Sequence, residues 1–206
     1  MHDAHNPLEG LSLVGGRLCL DFANSVGSRG AEVRNDRLQE YGDLLWWGLR
    51  AGILIDAEAD RLRRTAEARP EEAAAVHRRG IELREAIYRI FSARNAGEEI
   101  GEAELEVVNA EVGRAMRWAR VVREGQGFAW GWDGAAELDR ILWPVARSAA
   151  ELLTSPERER VGECAADTCG WLYLDTSKNR SRRWCDMKDC GNRAKVRRHY
   201  RRHHAE

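Results

Sequence analysis

Four cysteines within 27 residues constrain this chain more than any other feature: Cys164-x4-Cys169-x15-Cys185-x4-Cys190. Two pairs of equal spacing, separated by a middle loop, can bring four thiolates to one tetrahedral ion at Zn–S distances of ~2.3 Å. Zinc suits four soft thiolates without redox chemistry, and iron is a weaker candidate. The fifth cysteine, Cys19, lies far upstream between Leu18 and Leu20, where it reads as a small buried hydrophobe. An odd count without an export signal argues against a disulfide framework. A segment this short cannot bury enough apolar surface alone, so metal would supply much of its folding free energy.

A competing ligand set is Cys185, Cys190, His199 and His203, with the histidines one helical turn apart. Its eight-residue interval from Cys190 to His199 is short for a two-Cys, two-His finger, and it leaves Cys164 and Cys169 without a purpose. Four cysteines are therefore the expected ligands.

The overall charge of −1 conceals an asymmetry. From Lys178 to Glu206 there are 11 Lys/Arg against 3 Asp/Glu, a surplus of +8, while the preceding residues carry 22 against 31, a balance of −9. A basic end on an acidic body points to a polyanionic partner. A helix over 191–203 would place Arg193, Arg197 and Arg201 on one face, continued by Lys195, Arg198 and Arg202. Val196, Tyr200 and His203 would then pack on the metal core. The preceding loop, SKNRSRRW, adds Lys178, Arg180, Arg182 and Arg183, with Trp184 beside them. These cations meet the requirement for phosphate binding, and Arg and Asn192 side chains could also read base edges.

Upstream, LVGGRLCLDFANSVG alternates Leu18, Leu20 and Phe22 with Cys19, Asp21 and Ala23, which predicts one short strand. Helical periodicity follows in four stretches: a helix through Leu38–Leu49 capped by Asn35 or Asp36, one ending before Pro70, a long one with Val76, Leu83, Ile87, Ile90 and Phe91 inward, and one carrying Leu105, Val108, Val112 and Ala115. Gly125-Gln126-Gly127 joins two β-favouring pieces as a hairpin, with Trp130 and Trp132 on one face. A last apolar face runs from Leu138 to Leu152, with Pro144 expected to kink or interrupt it. The Ser/Pro-punctuated, charged stretch TSPERERVGE (154–163) is the natural boundary. The expectation is a mainly α domain over 1–155, with a short strand and a β-hairpin, followed by a zinc module over 160–206 that ends in a basic helix.

At Cys190-Gly191-Asn192-Arg193 the chain resembles the CGNR zinc-finger proteins, in which a C-terminal finger follows an N-terminal ABATE domain. GRLCLDFANSV and ILWPVARSAAELL resemble the ABATE pattern, and the finger likeness spans about residues 160–204. The resemblance implies a treble-clef-like finger and a bacterial, stress-linked transcription regulator whose finger binds DNA.

A regulator needs an input. Arg17, Asp21 and Asn24, with Trp46, Trp47, Trp130 and Trp132, could line a small-molecule pocket. The plainer reading puts most of these tryptophans in the core. Catalysis is not expected: there is no Walker loop, G-x-S-x-G, HExxH or GxGxxG, and four thiolates leave zinc no open position. No run of 18 apolar residues exists and MHDAHNPLEG lacks an apolar h-region, so a cytoplasmic protein without membrane contact is expected. The expected partners are nucleic acid (DNA ahead of RNA), an unidentified effector, and a second copy of the chain. The rival reading is a zinc-stabilised protein- or RNA-interaction module, with the basic helix covered in the free protein.

Overall fold

A computed structural model describes residues 10–203, without the side chains of 198, 199 and 201–203. The elements run α1 (Leu18–Ala23), β1 (Val26–Gly27), β2 (Asn35–Asp36), α2 (Tyr41–Arg50), α3 (Asp56–Ala68), α4 (Pro70–Ala96), α5 (Glu102–Trp118), β3 (Ala119–Glu124), β4 (Gly127–Trp132), α6 (Trp143–Thr154), β5 (Val161–Glu163), β6 (Leu172–Leu174) and α7 (Asn192–His203). The strands form three separate antiparallel two-stranded ribbons, and the rest of the architecture is helical.

The long helix α4 organises the core. Pro70 sits in its first turn, where a missing N–H costs nothing, and Val76, Leu83, Ile87, Ile90 and Phe91 point inward. Helices α1, α2, α3 and α5 pack on it and α6 packs on α1 and α5, burying Phe22 edge-on against Trp47 at 4.8 Å and stacking Trp118 on Trp143 at 5.6 Å.

Two local expectations are corrected, and one is met. The predicted strand at 18–23 is helix α1: Cys19, Leu20, Phe22 and Ala23 are all buried, so both faces of the alternating pattern enter the core. Asn35 and Asp36 do not cap α2 but form β2, and the Asp36 carboxylate takes both terminal nitrogens of Arg84 at 2.7 Å. The N-terminus of α2 is closed instead by Asp43, whose Oδ2 accepts the N–H groups of Gln39 and Glu40 at 2.7 and 3.0 Å. Pro144 interrupts the last apolar stretch, as expected: a 3-10 turn over Leu138–Leu142 precedes it and α6 begins with Pro144 in its first turn.

The core runs through the 154–163 boundary. Val161, Leu172 and Leu174 belong to the same buried cluster as α1, α4 and α6. Asn24, fully buried, clamps that junction: its Nδ2 donates to the Leu172 carbonyl and its Oδ1 accepts the Leu172 N–H, both at 2.8 Å.

Candidate metal centre and nucleic-acid interface

The β5–β6 hairpin pairs Val161 with Leu174 and Glu163 with Leu172, so the chain leaves β5 into Cys164 and re-enters β6 after Cys169. Between them a tight turn is closed by the Cys169 N–H to the Ala166 carbonyl at 3.0 Å, and the Cys164 N–H reaches the Trp171 carbonyl at 2.8 Å. The second pair is set by a π-helical turn over Met187–Gly191, in which the Gly191 N–H bonds the Asp186 carbonyl five residues back at 2.9 Å. Asp186 caps this turn by accepting the Lys188 N–H at 2.8 Å. This wide turn carries the chain from Cys185 to Cys190 across a four-residue gap.

All four sulfurs lie within 4.8 Å of one another, and the cysteines are 1–9% exposed. Cys169–Cys185 and Cys185–Cys190 sulfurs are 3.7 and 3.6 Å apart. A tetrahedron with Zn–S bonds of ~2.3 Å has edges of about 3.8 Å, so the cradle fits zinc. Hydrogen bonds from Cys169 and Cys185 push the Cys164 thiol down to about 2. Its bond to Cys164 pushes Cys169 up to about 12, and Cys185 is raised in the same way. A divalent cation at the centre of the cluster would favour all four thiolates. Cys164, Cys169, Cys185 and Cys190 would hold one structural zinc, closing its coordination sphere. The side chains of His199 and His203, the competing ligands, lie outside the described residues.

The tetrapeptide around Cys190 is explained residue by residue. A Cβ on Gly191 would meet Met187 Sδ at 2.9 Å and Trp184 Cδ1 at 3.3 Å, so glycine lets those side chains close over the site without shifting. Asn192 Nδ2 donates to the Lys188 carbonyl at 3.0 Å, fastening α7 to the turn before it. Arg193 donates from Nη2 to Cys190 Sγ at 3.1 Å and pairs with Asp189 at 3.2 Å. Its contact with Cys190 is the main reason Arg193 holds its proton more firmly than usual.

The cationic residues divide into two groups. Lys178, Arg180, Arg183, Lys195 and Arg197 are exposed, Arg183 over the Trp184 ring at 5.5 Å and Arg197 paired with Asp167 at 2.8 Å. Arg182 is turned inward: it donates to the carbonyls of Trp184, Leu174, Val14 and Cys185 and lies over the Tyr173 ring at 4.4 Å. Its expected phosphate contact is therefore corrected, because the guanidinium is committed to backbone carbonyls around the metal site. The side chains of Arg198, Arg201 and Arg202 lie outside the described residues. The expectation that Val196 and Tyr200 pack on the metal core is also corrected: they are 54% and 60% exposed, and α7 projects from the finger.

The residues suggested for an upstream pocket serve separate partners. Arg17 is half-exposed and pairs with Glu157. Asp21 Oδ1 accepts the Gly15 N–H at 2.8 Å, and burial pushes its carboxyl up to about 6. Asn24 holds Leu172, as above. Cavities of about 200–560 Å³ are lined by other residues. Of the tryptophans, Trp47 is core, Trp46 and Trp132 are half-buried, and Trp130 is 46% exposed beside Arg147. Burial pushes the Cys19 thiol up to about 12, which leaves it neutral and inert.

Sequence reasoning missed how the finger is seated. Arg29, buried, pairs with Glu85 of α4, lies over the Tyr88 ring at 3.8 Å, and gives its N–H to the Cys169 carbonyl. Glu163 accepts from Tyr88 and Ser92 at 3.1 and 3.0 Å. Partners 71 and 75 residues apart leave no local signal in one sequence. Gly170, at φ +66°, is required where a Cβ would meet Arg29 Cβ at 3.0 Å.

Residues 16–156 match the ABATE family model, described as "Putative stress-induced transcription regulator", and residues 160–203 match the CGNR zinc finger. No curated protein matches the chain. No helix among the described residues is long and apolar enough to cross a membrane. With the ABATE match covering most of the chain and the finger match resting on a formed four-cysteine cradle, this protein belongs to the ABATE family and carries a C-terminal CGNR zinc finger.

Proposed function

We propose that this chain is a cytoplasmic DNA-binding transcription regulator. Its finger would grip the phosphate backbone, its helical part would receive the signal, and a second copy would complete the functional unit. One observation carries the reading: a basic helix, α7, leaves the zinc site with Lys195 and Arg197 exposed, next to a loop exposing Lys178, Arg180 and Arg183. Zinc would fix helix and loop relative to each other, so the cations form one surface rather than a loose tail. The zinc role is structural, since four thiolates leave no position for a reacting water, and the reading includes no catalysis.

A protein-interaction module would use the same surface, and the exposed Val196 and Tyr200 give that alternative its footing. Its expectation of a basic helix covered within the chain finds no support in the exposure of residues 192, 193 and 195–197.

The test is binding of the zinc-loaded protein to random-sequence duplex DNA across a salt series. Five phosphate contacts should give log affinity falling against log salt with a slope of about −4 to −5. Undetectable binding at low salt would overturn the DNA reading and favour a protein partner.

A further inference from the structure

A cavity of about 560 Å³ opens between the first cysteine turn and the start of α7. It lies in the size range of sites that take small organic groups. Its apolar lining comes from the methyl groups of Ala165, Ala166 and Ala194 and from the Trp184 indole, which is half-buried against the metal cluster. Its polar lining is mostly cationic, with Arg183, Arg193, Lys195 and Arg197 against the single carboxylate of Asp167. Arg193 is held by Cys190 and Asp189, and Arg197 by Asp167. Arg183 and Lys195 have no ion-pair partner among the described residues.

We infer that this cavity receives one unstacked base of a nucleic-acid strand, while Arg183 and Lys195 hold the phosphates on either side of it. The inference rests on the nucleic-acid reading above and narrows it to strands that offer an unpaired nucleotide. A concave site walled by alanine methyl groups and an indole suits a flat, apolar ring. Phosphates belong on the cationic rim. Asp167 disfavours a phosphate inside but accepts hydrogen bonds from the amino group of adenine, cytosine or guanine, and the Thr168 hydroxyl can donate or accept. A base stacked in a duplex has both faces covered and cannot enter; only a single-stranded or extrahelical base can. An acidic peptide would bring a carboxylate against Asp167 and leave the flat wall unused.

The test compares three labelled DNA ligands of one mixed sequence at equal salt: a single strand, a perfect duplex, and a duplex with a single-nucleotide bulge. The zinc-loaded full chain should bind the single strand and the bulged duplex about tenfold more tightly than the perfect duplex, the scale of one stacked base. Ala194→Leu, which fills the cavity from the helix side, should abolish that preference while leaving perfect-duplex affinity and zinc content unchanged. Trp184→Leu should act likewise; if it loses zinc, Ala194→Leu decides. Equal affinity for all three ligands, or a preference that Ala194→Leu leaves intact, overturns the inference without touching DNA binding itself. Displacement of the single strand by an acidic peptide of equal charge also overturns it. Failure to bind any of the three overturns both readings.

Discussion

Single residues here hold the finger to the body, and burial decides which of them can do anything else. Asn24 spends both ends of its amide on Leu172, and Arg182 donates to four backbone carbonyls, so neither is available to a ligand. Asp21 is different. It makes one backbone hydrogen bond, to Gly15, in surroundings that raise its carboxyl to about 6. A carboxyl raised in the folded state favours folding while protonated. That contribution is full below the unfolded value near 3.8 and is lost as pH rises through about 6. Asp21→Asn keeps an acceptor for Gly15 and removes the buried charge. It should stabilise the protein by about 1–2 kcal/mol at pH 7.5, allowing for partial exposure, and by less at pH 5. Thermal unfolding at the two pH values checks this; a variant equally or less stable than the parent at pH 7.5 would refute it.

At the scale of elements, α7 departs most from its sequence pattern. Its apolar positions, Val196 and Tyr200, are spaced one turn apart as if to meet a core, yet both are exposed. Val196→Ser should therefore shift stability by less than about 0.5 kcal/mol, where a buried position would lose several times more. Unchanged thermal unfolding with a weakened hold on DNA would place Val196 on the contact surface; a large loss of stability would return α7 to the core. The contrast with the cysteines shows what could be read from sequence. Cys164, Cys169, Cys185 and Cys190 announce themselves because metal ligands need fixed local spacing, and the long helices because one face must repeat every 3.6 residues. The β3–β4 hairpin follows from Gly125-Gln126-Gly127 for the same local reason. Helix α1 hides its period because four of its six residues, Cys19, Leu20, Phe22 and Ala23, are buried on both sides of the alternating pattern, which blurs period two and period 3.6. The pairing of Asp36 with Arg84, the burial of Arg29 and the cavity beneath α7 depend on partners far along the chain, which no local pattern encodes.

For the whole molecule, the question is whether the finger melts alone. Sequence composition suggests a module beyond the Ser/Pro boundary that unfolds by itself when its metal is removed. The packing argues otherwise. Val161, Leu172 and Leu174 are 0–4% exposed within the same core as α4 and α6. The first cysteine turn is tied to the loop after β1 by Arg29 and Gly30 N–H groups bonding the Cys169 and Thr168 carbonyls at 3.2 and 3.3 Å. Glu163 is fastened to Tyr88 and Ser92 of α4 in addition. Zinc therefore braces elements that also line the main core, and its removal should reach beyond residues 160–203. Stripping the metal with a chelator, or replacing Cys185 with Ser, should lower the melting temperature of the whole chain and keep one cooperative transition. Scanning calorimetry on the zinc-loaded and stripped protein tests this. An unchanged main transition, with only a small separate one lost, would show that the finger is an independent unit and that a signal received by the helices has no rigid path to the basic surface. A single lowered transition would mean that metal, α4 and the basic helix form one mechanical body, in which a change at Tyr88 or Arg29 is felt at the cations of α7.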